Sequence, residues 1–409
     1  MNTATLAAAG APATLRQDSS IIGLVGLAHA SSHFSHLLLP LMFPVFLKEF
    51  GLSYAQLGLM MSVFFIVSGL GQASAGFIVD RMGARPILFT SLAIFVLACI
   101  GAASATSYPM LLMVAALAGL GNCPFHPVDF TIMNQRVSAQ RLGYAFSVHG
   151  ITGNLGWAAA PVFLVGISSV SSWRVAYLAA AGMYAAILLL LFTQRERLNT
   201  AVAPRRAEHG GEHDLAFMKL PVVWWCFAFF LLSTMTLAVV QSFSVSLLKA
   251  LHGISFEAAT MTLTAYMLCG AAGMVVGGFV AAHSNSSDRV VAICMTVAAG
   301  FLALCGTGVF GATGTMVVLA ATGFAVGIGG PSRDMMIKKA TPKGATGRVY
   351  GMVYSGLDVG FAISPLLFGV FMDRGWYSAT FFGAALVLLL SVVAALGVGQ
   401  RTVARALPA

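Results

Sequence analysis

Twelve apolar stretches, each long enough to cross about 30 Å of hydrocarbon, follow one another along this 409-residue chain. They fall at roughly 20–48, 53–79, 85–105, 108–134, 141–167 and 173–192. A charge-rich stretch from Gln194 to Lys219 follows, and six more run at 221–250, 255–282, 289–311, 313–337, 347–372 and 379–399. A soluble domain wets its surface with about a quarter of its residues charged. Here 9% are charged and 58% hydrophobic, so the solvent of this chain is lipid. The expected fold is an all-α membrane protein with twelve transmembrane helices. Its parts are a tail (1–19), a six-helix bundle (20–193), a central loop (194–219), a second six-helix bundle (220–399) and a tail (400–409).

Charge gives the orientation. With both termini cytoplasmic, the inside segments hold 18 of the 22 Lys and Arg, among them Arg81, Arg85, Arg136, Arg141, Arg195, Arg197, Arg205, Arg206, Lys338, Lys339 and Lys343. Only Lys48, Arg174, Lys249 and Arg374 fall outside, which is the asymmetry expected of a multi-pass protein. The net charge of +9 is thereby accounted for without nucleic acid as a partner. The first apolar stretch is too long for the core of a cleaved signal and is expected to remain as a helix. Six cysteines stand singly in apolar segments, as small core residues rather than disulfides or zinc ligands.

The two halves repeat. At an offset of 202, Gly51, Ser53, Gly71, Gly76 and Phe77 meet Gly253, Ser255, Gly273, Gly278 and Phe279; at 204, Gly119, Pro127, Asn154, Gly156 and Pro161 meet Gly323, Pro331, Asp358, Gly360 and Pro365. A nearly constant offset over five helices marks a tandem duplication, and an even helix number per half makes the repeats parallel.

Between the second and third helices the chain reads Gly76-Phe-Ile-Val-Asp80-Arg81-Met-Gly83-Ala-Arg85. With the duplicated six-plus-six plan, this loop resembles that of the major facilitator superfamily, roughly G-x-x-x-D-R-x-G-R-R, and only the arginine spacing departs. The resemblance implies that Gly76, Asp80, Arg81, Gly83 and Arg85 form a gate loop that latches the cytoplasmic side when the outside is open. Gly83 suits the tight turn. The matching stretch of the second half, Gly278 to Arg289, is expected to have lost the acidic residue.

Ionisable groups inside a membrane are costly and usually face a cavity or a partner. His29, His33 and His36 form one stripe of the first helix, at i, i+4 and i+7, and imidazole suits proton handling. Asn122, His126, Asp129 and Arg136 form a comparable stripe on the fourth, where Pro127 is expected to interrupt the helix. Asp129 is either a functional carboxylate or a structural partner of Arg136 or Arg141. On the fifth helix, Gly150, Gly153 and Gly156 allow close approach of a neighbour; His149 shares a face with Thr152 and Gly156, and Asn154 points elsewhere. In the second half Asp358 lacks a basic partner in sequence, which suits an exchangeable proton. Gln241, with Ser242 and Ser244, is a candidate for the cavity wall. Arg333 and Asp334 read as a local ion pair.

The run Gly119-Leu-Gly121-Asn122-Cys-Pro-Phe125-His126-Pro127, with Gly153-Asn154-Leu-Gly156 and His29, resembles the fosmidomycin-resistance group of bacterial transporters. That group tends to carry Asn-Asp where this chain has Ser32-His33, and Glu where it has Val128 before Asp129. The resemblance implies a bacterial inner-membrane protein performing proton-driven efflux of a small polar drug or metabolite. Its expected partners are a small-molecule substrate, protons and the lipid bilayer, and it is expected to work as a monomer. Proton-coupled uptake of a small carboxylate or other nutrient is the alternative. Transition-metal transport ranks behind both: His29, His33, His36 and 20 methionines invite it, but no compact ligand cluster is visible in sequence. No resident metal or cofactor is expected. The chain has no GxxxxGK[ST], HExxH or GxSxG motif, and an enzyme is not expected.

Overall fold

The computed structural model describes residues 14–202, 218–284, 286–340 and 346–406. The tail before residue 14, the part of the central loop that holds Arg205 and Arg206, and Lys343 lie outside the described residues. Among the described residues the regular elements are helices, and twelve spans are long and apolar enough to cross a membrane. The first span joins α1 (Leu15–Leu37) to α2 (Phe43–Glu49), and α3 (Tyr54–Met82) and α4 (Ala84–Ala103) follow. The fourth span joins α5 (Tyr108–Asn122) to α6 (Phe125–Arg136), and α7 (Leu142–Val170) and α8 (Trp173–Thr193) complete the first half. The second half holds α9 (Pro221–His252), α10 (Phe256–His283), α11 (Ser287–Thr307), α12 (Gly311–Ala340), α13 (Thr346–Asp373) and α14 (Tyr377–Ala406).

Both broken spans are broken by proline. In the first, Pro40 opens a short 3-10 turn and Pro44 sits in the first turn of α2. In the fourth, the interruption lies at Cys123–Pro124, three residues before the expected Pro127. Pro124 has no N–H to give the carbonyl of Leu120, and the Cys123 Sγ donates to that oxygen instead, at 3.1 Å. Pro127 lies in the first turn of α6, where no intrahelical N–H is needed.

Packing repeats between the halves. α1 packs on α7, α3 on α5 and α4 on α8, and the counterparts six spans on are α9 on α13, α10 on α12 and α11 on α14. Two pseudo-symmetric six-helix bundles result, and they meet through α3 with α13 and α7 with α10. The face that gathers Arg81, Arg85, Arg136 and Arg141 is called the basic face here. The halves are sealed together at the opposite face. There the carboxylate of Asp373 accepts the N–H groups of Tyr54 and Ala55 at 2.6 and 2.9 Å, and the Phe43 and Phe243 rings lie 6.1 Å apart. Deeper in, Ser62 donates to the carbonyl of Ala362. A Cβ on Gly58 would lie 2.2 Å from the carbonyl oxygen of Pro365, so the two backbones touch.

On the basic face, Gly83 ends α3 at φ +81°, a conformation that side chains other than glycine's rarely tolerate. Ala84 N donates to Thr200 Oγ1 at 2.8 Å, and Arg85 reaches Glu196 at 3.3 Å. The loop is therefore tied to its own half. Asp80 and Arg81 are exposed, and Asp80 has no hydrogen bond or ion pair among the described residues. At the offset of 202 Asp80 meets Ala282, so the loop acid has no counterpart in the second half, and an acid stands only further along the stretch, at Asp288. Asp288 lies in the first turn of α11, where the helix dipole favours it, packed so closely on α14 that a Cβ on Gly399 would sit 2.2 Å from its Oδ2.

Candidate transport site

The stripes of α1, α6 and α7 converge. Gly156 of α7 lies so close to α1 that a Cβ there would be 2.1 Å from the Ala30 carbonyl, and Thr152 fills the space beside Gly26. This backbone contact presses the histidines of α1 onto α7. A Cβ on Gly153 would meet His33 Nδ1 at 2.8 Å and His29 Nε2 at 3.0 Å. His29 stacks on His149 with ring centroids 3.5 Å apart, and His33 and His126 lie 4.4 and 5.4 Å from His29.

Asp129 closes this cluster from α6. It is 0% exposed, and its Oδ2 accepts from His149 Nε2 at 3.0 Å. His29 Nδ1 lies 3.2 Å from the same oxygen but is not aligned for a hydrogen bond. Asp129 Oδ1 has no partner. The arginines offered by the sequence are engaged elsewhere. Arg141 pairs with buried Asp18 at 2.6 Å, and Arg136 donates to the carbonyls of Arg197 and Glu196. Among the described residues, histidines alone lie within ion-pair distance of Asp129.

A second network adjoins the first. Asn122, the last residue of α5, accepts from Ser32 Oγ at 2.7 Å and from His36 Nε2 at 3.1 Å, and donates to Ser68 on α3 at 2.9 Å. Trp157 donates to His36 Nδ1 at 3.2 Å, and its ring lies 4.3 Å from that of His33. An indole N–H only donates, so His36 Nδ1 accepts and Nε2 carries the hydrogen. Both of its nitrogens are committed, unlike those of His29 and His33, whose Nδ1 atoms lack partners.

The remaining candidates stand apart from this cluster. Asn154 donates to Met274 Sδ of α10 at 3.2 Å, across the boundary between the halves. Asp358 of α13 faces α3, with Gln72 Nε2 at 3.4 Å and its Cβ against Gly69. Gln241 is buried on α9 with its Nε2 unpartnered, and shares no hydrogen bond with the histidines among the described residues. Arg333 and Asp334 pair with each other at 2.9 Å. Sequence reasoning missed Trp157, Ser68 and Gln72. Trp157 carried a usable signal, since eight residues from His149 returns to the same helix face.

Comparison with known proteins gives this arrangement its context. The chain is 26% identical over 287 residues to the fosmidomycin resistance protein of Escherichia coli K12, covering 66% of this chain and 67% of that one. It is 25% identical over 142 residues to the MFS-type transporter YfnC of Bacillus subtilis strain 168, about a third of each chain. The fold resembles a bacterial homologue of the human lysosomal transporter Spinster in an inward-facing conformation, with a TM-score of 0.71 at 13% identity over 95% of this chain and 97% of that one. It resembles the nucleoside transporter NupG with a TM-score of 0.75 at 15% identity, over 94% and 100%. The sequence pattern of the Major Facilitator Superfamily matches residues 25–315 and 226–407. Duplicated bundles and a buried polar cluster between helices are thus found in a chain whose two halves both match that pattern, and the protein belongs to the Major Facilitator Superfamily of transporters.

Proposed function

We propose that this protein exports small polar organic molecules from the cytoplasm across a bacterial inner membrane, coupled to proton entry, with both termini cytoplasmic. The observation that carries the reading is the contact of His29 and His149 with one buried oxygen of Asp129. A carboxylate with no Lys or Arg beside it needs a proton on itself or on an imidazole, and gaining or losing that proton changes the charge of a buried site. The direction is supported by the likeness to a resistance protein.

In this mechanism the basic face is cytoplasmic, and the structure, sealed at the opposite face, stands ready to load from the cytoplasm. Substrate entry and proton release at His29, Asp129 and His149 favour rocking of the halves about α3–α13 and α7–α10. Asp80, without a partner among the described residues while the opposite face is sealed, engages the second half as a latch once the basic face closes. Asp358, on the other half, serves as a second proton-exchanging group.

The test is growth inhibition of an efflux-deficient bacterium expressing the protein, across a compound panel that includes fosmidomycin. A His126→Ala, Asp129→Asn double variant of equal membrane level is the control. Resistance that disappears in the variant and on collapse of the proton gradient is expected. Unchanged sensitivity to every compound overturns export, and counterflow in sided vesicles would then favour nutrient uptake.

A further inference from the structure

The sequence offered no compact ligand cluster, but the fold builds one. His29 of α1, His126 of α6 and His149 of α7 each offer a nitrogen, and the three ligand atoms all lie within 4.8 Å of one another. We infer that His29, His126 and His149, with Asp129 anchoring the His149 imidazole, form a binding site for a divalent transition-metal ion of the zinc class.

Geometry comes first. Zinc–nitrogen bonds of about 2.0–2.1 Å in a tetrahedron place ligand nitrogens roughly 3.3 Å apart. The observed separations close to that value when each ring shifts by about an ångström or less, within the play of a side-chain torsion. The three donors come from three different helices and lie within 4.8 Å of one another, and the stacked His29 and His149 rings must tilt apart for both to face one ion.

Unmet polar capacity is the second observation. His29 is 2% exposed, and its Nδ1 makes no hydrogen bond; Asp129 is fully buried, and its Oδ1 makes none. Buried polar atoms are almost always satisfied, and His29, one of the three ligand histidines, keeps an unpartnered nitrogen. A dication held by the imidazoles would balance the nearby carboxylate charge. The contact between Asp129 and His149 Nε2 also resembles the carboxylate–histidine pairing that orients metal ligands.

The donor set selects the ion. Neutral imidazoles suit Zn²⁺, Co²⁺ or Ni²⁺, whereas Ca²⁺ and Mg²⁺ want oxygen donors. Among the described residues no thiolate belongs to the cluster, which disfavours Cu⁺. His33 lies beside His29 with its own Nδ1 unpartnered, next in line to exchange with a ligand.

The full-length protein, purified without a histidine tag and stripped with chelator, is titrated with Zn²⁺ by calorimetry and with Co²⁺ by visible absorption. One ion per chain is expected, with intense d–d bands of a four-coordinate, nitrogen-rich cobalt site. His126→Ala and the isosteric Asp129→Asn are each expected to weaken binding about tenfold or more. His252→Ala, and the His209→Ala, His213→Ala pair that removes the central-loop imidazoles, are expected to bind as wild type does. Absence of stoichiometric binding in the wild type, or binding lost only with His209 and His213, overturns the inference. The outcome is separable from the export reading: resistance without metal binding sinks the site alone, and metal binding without resistance sinks export alone.

Discussion

Asp373, at the last residue of α13, accepts the backbone N–H of Tyr54 at the first residue of α3, at 2.6 Å. Its other oxygen takes Ala55 N, and Ser53 takes Gln56 N in a capping box, so the first turn of α3 is satisfied partly by the other half of the protein. Asp373→Ala removes a charged cap worth about 1 kcal/mol, roughly a fivefold change in a two-state population. The opposite face should open more often. In a cysteine-free background, thiol labelling of Ser246→Cys, at a position buried at the seal, should accelerate in proportion. An unchanged labelling rate would show that Asp373 does not hold the seal.

Two glycines in equally tight contacts should behave differently. Gly156→Ala places a methyl 2.1 Å from the Ala30 carbonyl within one half, and Gly58→Ala places one 2.2 Å from the Pro365 carbonyl between halves. Overpacking costs about 1–3 kcal/mol. The first should lower the unfolding temperature in detergent. The second should leave unfolding nearly unchanged and raise Ser246→Cys labelling, because separating the halves relieves the clash. Equal unfolding losses in both would contradict this division.

Asp129→Asn should unfold at a higher temperature than wild type while losing export. A fully buried carboxylate with one oxygen unpartnered is a destabilising group. The amide keeps its shape, and its carbonyl can still accept from His149 Nε2. A lower unfolding temperature would indicate that the charge holds the bundle together.

His36 should be a neutral imidazole with its hydrogen on Nε2, since Trp157 donates to Nδ1 and Asn122 accepts from Nε2. Nitrogen-15 resonances of labelled histidine read this tautomer directly. Trp157→Phe keeps a ring against His33 but removes the donor, and the His36 signals should then shift toward a tautomer mixture. Identical spectra in the two proteins would count against the assigned network.

The architecture was legible because its signals are collective. Hydropathy over whole spans and an offset repeated from Gly51 to Pro365 survive errors at single residues. The site was legible only helix by helix. Spacing placed His29, His33 and His36 on one stripe, but it could not say that α6 and α7 would bring His126, Asp129 and His149 to that stripe, because sequence periodicity carries no distance between helices. For the same reason the sequence could not tell that neither arginine reaches Asp129, because Arg141 is held by Asp18 and Arg136 by the carbonyls of Arg197 and Glu196. Pro127 was the more conspicuous of two prolines, yet position within the turn decides which one breaks a helix, and Pro124 does.

The two sides of α7 face different neighbours. His149, Gly153 and Gly156 bear on α1 and its histidines, whereas Gly150, Asn154 and Ala158 bear on α10 of the other half. An event at the cluster is therefore separated from the surface that must slide by one helix diameter, about 10 Å. No relay through the protein is needed: a small roll or tilt of α7, forced by what the imidazoles hold, is itself a displacement at the joint between halves. The counter-surface includes the thioether of Met274, a soft and unbranched contact. The joint thus works as a bearing with its load applied directly to the shaft.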